Sequence, residues 1–72
     1  MTEQEQRYAY EQGYDRGYSN RPIHGAWWPS ECPRRGIRAT QIKAGWVDGQ
    51  HDHINGNPKG TSLEFEVLTS DP

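Results

Sequence analysis

Four side chains in this sequence could do metal or nucleophilic chemistry: His24, Cys32, His51 and His53. Together they would offer the four nitrogen and sulfur ligands of a structural zinc ion. Their spacing argues against it. No Cys-x2-Cys knuckle is present, and His51 and His53, two apart, point to different sides of a helix. The expectation is no metal and no cofactor. Cys32 with His24 lacks an orienting third group and oxyanion donors, so no catalytic residue is expected and the chain reads as non-enzymatic. As the sole cysteine, Cys32 has no partner for an internal disulfide and reads as a small buried residue beneath a loop. Asp48 and Asp52, four apart, read as a solvated helix face.

Binding chemistry is better represented. The net charge is −2, but its sign changes along the chain. Residues 1–19 are acidic on balance, 20–45 are basic through Arg21, Arg34, Arg35, Arg38 and Lys43, and 46–72 are acidic again. A basic centre between acidic ends can meet phosphate or an acidic protein surface, or be neutralised by its own ends. The adjacent Trp27 and Trp28 are candidate anchors for a partner, or a substitute for core.

Two helices must position these groups. Thr2 and Glu5 have capping-box spacing, and Tyr10, Tyr14 and Tyr18 then recur every four residues as one stripe. Pro22 marks the end of that helix. A connection follows over about 20–36, with three prolines and two glycines. A second helix is expected over about 37–53, stopped by Asn55-Gly56 and Asn57-Pro58. In the tail, Leu63, Phe65 and Val67 alternate with Glu64 and Glu66, the period of a half-buried strand. No comparable second strand exists. That motivates a homodimer through residues 62–68, or addition of the strand to a partner's sheet.

The two helices carry an echo, Gly13-Tyr14-x-x-Gly17 and Gly45-Trp46-x-x-Gly49. A mid-helix glycine costs about 1 kcal/mol relative to alanine, so four of them need a return. Glycines four apart share a face and let another backbone approach closely. The inference is a tightly crossed antiparallel hairpin with Tyr14 and Trp46 packed at the crossing. The fold expected is mainly α: a two-helix hairpin domain over residues 1–56, a long Pro/Gly/Trp-containing loop, and an acidic, extended, strand-like tail over 57–72. With 72 residues and 31% hydrophobic content, the chain is too thin for a large cavity-forming enzyme. Apolar runs such as Ala26-Trp27-Trp28 fall far short of the roughly 20 residues of a membrane span. No basic-plus-apolar leader is visible, which predicts a cytoplasmic protein.

Ala9, Gly13-Tyr14, Gly17, Arg21, Cys32-Pro33 and Gly45-Trp46, in this order over residues 7–52, resemble the ribosome modulation factor family. The resemblance implies two helices joined by a loop, in a small protein that binds the small ribosomal subunit and its RNA to modulate translation. Relatives of that kind also occur in bacteriophages, where the same scaffold can serve another task. Family members are strongly basic and carry Cys-Pro-Tyr, whereas this chain is acidic overall and carries Cys32-Pro33-Arg34. If RNA is the target, Arg21, Arg34, Arg35, Arg38 and Lys43 would meet phosphates, and Trp27, Trp28 or Tyr18 would stack on bases. The alternative is a phage-type protein-binding regulator that inhibits a host enzyme or complex through acidic and aromatic surfaces.

Overall fold

The computed structural model describes residues 2–69. Two helices dominate, α1 (Glu3–Tyr18) and α2 (Ile37–Asn55), with one short 3-10 turn at Gly25–Trp27 between them. The α1 start follows the capping box. Thr2 Oγ1 accepts the Glu5 N–H at 3.1 Å, and the Glu5 carboxylate accepts the Thr2 N–H at 3.2 Å. That hydrogen bonding holds the Glu5 carboxyl below its ordinary value. At the other end Asn20 takes a left-handed conformation (φ 56°), and the Arg21 N–H closes back on the Arg16 carbonyl at 3.0 Å. Gly56 (φ 67°) ends α2, where a side chain would be strained.

The four echo glycines form the contact between the helices. A methyl group at Gly13 would strike the Ile42 carbonyl, and one at Gly45 the Tyr10 carbonyl. Gly17 and Gly49 face the Trp46 and Tyr14 carbonyls in the same reciprocal way. Each glycine Cα is thus set against a facing peptide oxygen, a geometry that weak Cα–H···O bonds favour.

The expected pair of helices forms, but its sense is parallel, not antiparallel. Gly13 meets Ile42 and Trp46, and Gly17 meets Trp46 and Gln50, so residue numbers rise together along both helices. The connection explains it. An antiparallel hairpin needs only a short turn, whereas residues 19–36, at up to about 3.3 Å per residue, can return along the whole of α1. The two echoes therefore align in one direction, at one constant offset, as in a symmetric pair.

A second expectation changes with it. The Tyr14 and Trp46 rings do not lie in the crossing, where backbone fills the space. They flank it on opposite sides. Trp46 Nε1 donates to the Arg21 carbonyl at 2.7 Å, on the side covered by the loop. Tyr14, 2% exposed, lies on the side covered by the tail. The tail turns at 59–62, where the Thr61 N–H closes on the Pro58 carbonyl at 3.2 Å, and then runs on over 63–68 without a turn, yet no strand or sheet forms among the described residues. It runs back along the helix pair, from Asn57 beside Tyr18 to Leu68 beside Gln6.

Candidate functional site

The loop-covered flank is apolar. Ala9, Trp28, Cys32, Ala39 and Ile42 form its buried cluster, with Ile23 and Trp27 packed against them. Trp28 is only 7% exposed, and its Nε1 donates to the Cys32 carbonyl at 2.7 Å. It is therefore core and not an open stacking platform. Trp27 is half-buried, with the Arg16 guanidinium 5.2 Å from its ring centre. Cys32 lies buried beneath the loop. No group of three or more side chains able to hold a metal ion converges among the described residues, so His24, Cys32, His51 and His53 stay apart as ligands.

The basic residues divide between two places. Arg34 stacks 5.0 Å over Trp28, and Lys43 reaches back to the Arg34 carbonyl at 3.2 Å. Lys43, two turns into α2, thus lies beside Arg34 just ahead of that helix, and Arg35 follows Arg34 in the chain. None of the three has an acidic partner among the described residues. Arg38 instead pairs with Glu31 at 3.3 Å and shares a surface cleft with Glu5 and Tyr8 of α1. Gly36 precedes α2 without a side-chain cap, and the first turn carries no acidic residue. Its free N–H groups and the helix dipole add to the positive field there. Arg21 lies elsewhere, beside Trp46.

The tail-covered flank is polar and follows another logic. Gln6, Tyr10, Tyr14 and Tyr18, spaced every four residues on α1, all bond the tail. The Tyr18 hydroxyl donates to the Asn57 carbonyl at 3.1 Å. The Tyr14 hydroxyl accepts the Gly60 N–H at 2.6 Å and donates to Asp52. The Tyr10 hydroxyl accepts the Glu64 N–H at 2.8 Å and donates to Asp48. Gln6 clasps Leu68 by both backbone groups, at 2.8 and 2.7 Å. Gln41 joins the row, donating to Gln6 at 2.9 Å and to the Glu66 carbonyl at 2.7 Å. The tyrosine hydroxyls, the Gln6 and Gln41 carboxamides and the Asp52 carboxylate thus take the place of a neighbouring strand.

Asp48 and Asp52 accordingly do not form a solvated face. Asp52 is fully buried. Burial would raise its carboxyl, but hydrogen bonds from Tyr14, from Ser62 at 2.8 Å and from Asn57 at 3.1 Å hold it well below the ordinary range. Burial and the bond to Asp48 push the Tyr10 hydroxyl upward, and burial with Asp52 does the same for Tyr14. Sequence reasoning missed Gln6, Gln41, Asp48 and Asp52 as members of one network. The available signal was the four-residue repeat of Tyr10 and Tyr14 matched by that of Asp48 and Asp52.

No helix among the described residues is long and apolar enough to cross a membrane. The chain matches no protein-family profile, no curated protein and no solved structure.

Proposed function

We propose that this protein is a small non-enzymatic regulator that docks on phosphate-rich RNA of the small ribosomal subunit and modulates translation, as its resemblance to the ribosome modulation factor family implies. One observation carries the reading. Lys43 meets Arg34, with Arg35 next in the chain, just ahead of the uncapped start of α2, and none of the three has an acidic partner among the described residues. Anions are favoured at such a helix end, and lysine and arginine contacts to phosphate release counterions. Arg38 contributes if Glu31 yields it, and Trp27 offers a half-exposed ring for stacking beside the same loop. Trp28 supports the surface from beneath by holding the Arg34 guanidinium. The acidic groups of the tail lie on the other flank, while Glu5 and Glu31 stand beside Arg38 and leave Arg34, Arg35 and Lys43 as the unpaired charges.

Co-sedimentation with small ribosomal subunits tests the reading. With three or four phosphate contacts, raising salt from about 50 to about 200 mM should weaken binding roughly 10- to 100-fold. Arg34→Glu with Arg35→Glu should abolish binding at either salt concentration. Undiminished binding of that double variant would sink the proposal.

A second reading is a cytoplasmic regulator of phage type that binds and inhibits a host enzyme or complex. Glu64 and Glu66 favour it, since both are exposed along the tail flank and stand apart from the basic cluster. A pull-down that recovers ribosomes and no other stable partner would count against it.

A further inference from the structure

The tail bonds to the helices through one edge only. Every backbone group it gives to helix side chains beyond Pro58 belongs to an even-numbered residue: Gly60, Ser62, Glu64, Glu66 and Leu68. Beyond the turn at 59–62 the chain runs over 63–68 without helix or turn, and in such an extended run the backbone groups of alternate residues point in opposite directions. Those of Leu63, Phe65 and Val67 therefore point away from the helices. Among the described residues nothing accepts from or donates to them. The side chains alternate as well. Phe65 turns toward α1, with its ring 5.7 Å from that of Tyr10 and Arg7 4.7 Å above it. Ser62 turns toward α2 and meets His51 at 3.2 Å. Leu63 and Val67 are 50% and 42% exposed.

We propose that this outer edge binds an extended segment of a partner protein whose residues alternate between apolar and basic. A strand added there would complete its ladder on Leu63, Phe65 and Val67. Its apolar side chains would extend the row formed by those three residues, and its lysines or arginines would face Glu64 and Glu66. A second copy of this chain is a poor occupant. Residues opposite each other in a ladder share a face, so any register that sets apolar row against apolar row also sets glutamates against glutamates. Like charges directly opposed destabilise a strand pair. No proline or inward-pointing lysine lies between Leu63 and Leu68, so the edge is guarded by the charges of Glu64 and Glu66, which repel an acidic strand and admit a basic one. The inference deepens the second reading above and rests on it only in requiring a protein partner.

The test is amide exchange and chemical-shift titration of the full chain with a peptide of about six residues alternating lysine and valine. The expected result is slowed exchange confined to the amides of Leu63, Phe65 and Val67. A peptide with glutamate in place of lysine should bind at least tenfold more weakly. N-methylation of alternate peptide amides should abolish binding and leaves the protein itself untouched. Val67→Pro, which removes one outward N–H and none of the inward bonds, should weaken binding at least tenfold at a nearly unchanged melting temperature. Equal binding of the N-methylated peptide would overturn the proposal, as would unperturbed tail amides. Protection of the same amides without peptide, together with a dimer mass in sedimentation, would overturn it in favour of a second copy. If a partner protein protects another surface and leaves these amides still, the inference fails while the second reading stands.

Discussion

The two flanks of the helix pair are covered by segments held by opposite chemistry. The loop over 19–36 is held by burial of Trp28 and Cys32 against Ala9, Ala39 and Ile42 of the helices. The tail over 57–68 is held by hydrogen bonds from Gln6, Tyr10, Tyr14, Tyr18, Gln41 and Asp52. Apolar burial is non-directional and scales with area, so the loop flank should tolerate small shifts. Hydrogen bonds are directional, and a buried donor or acceptor left alone costs about 1–3 kcal/mol. The tail flank should therefore fail bond by bond. A small chain gains a further advantage from the polar solution, because it needs few apolar residues to cover a second face.

The glycine crossing supports both coverings, so breaking it should remove the distinction altogether. Gly45→Ala puts a methyl group into the Tyr10 carbonyl. It should cost about 4 kcal/mol or more, which exhausts most of a small domain's stability. Circular dichroism should show loss of both helices together, and an unchanged melting temperature would show that the backbones do not touch.

Trp28→Ala comes next. Removing a buried tryptophan should cost about 3–5 kcal/mol. Amide exchange should then quicken across the loop and α2 before it does in the tail. Equal loss of protection on both flanks would mean that they are not separable.

Tyr14→Phe is the matched change on the polar side. It removes the acceptor for Gly60 and a donor to Asp52 while keeping the ring. A cost of about 1–3 kcal/mol is expected. Exchange should quicken at Gly60 and Ser62 while the loop stays protected.

Titration gives the smallest and most selective effect. The folded Asp52 carboxyl lies below its unfolded value of 3.8. Its contribution is therefore complete above that value and declines as pH falls beneath it. Tyr10 and Tyr14 are shifted upward from 10.0, so their contribution is complete below pH 10 and declines above it. Tail docking, followed by the Phe65 ring signals, should persist from pH 4 to 10 and weaken outside it. Loosening of the loop over the same acid range would contradict the division between the flanks.

Much of this was legible along the chain. Thr2 and Glu5 announced the start of α1, Asn55-Gly56 the end of α2, and the paired glycines the close approach. The sequence predicts a strand-like tail over 57–72; residues 70–72 lie outside the described residues, and the rest turns at 59–62 and is tethered to the helices without forming a strand. Alternation of Leu63, Phe65 and Val67 reads the same whether the backbone bonds a strand or a row of tyrosines and glutamines. Asp52 was misread for a related reason. A carboxylate on a helix looks solvated until a buried hydroxyl and two N–H donors from distant positions converge on it. The basic residues were identifiable as a set, yet which of them stand unpaired depended on Glu31 reaching Arg38 and Lys43 reaching the loop.

Local chemistry determined the helices and their crossing, because capping, glycine spacing and turn signals act within a few residues. The parallel sense of the helices and the seating of the tail were decided only in three dimensions. Both depend on contacts between residues more than thirty positions apart, such as Tyr10 with Asp48 and Gln6 with Leu68. Backbone donors and acceptors can be satisfied by any suitably placed partner, so sequence shows that they need one and the fold supplies which.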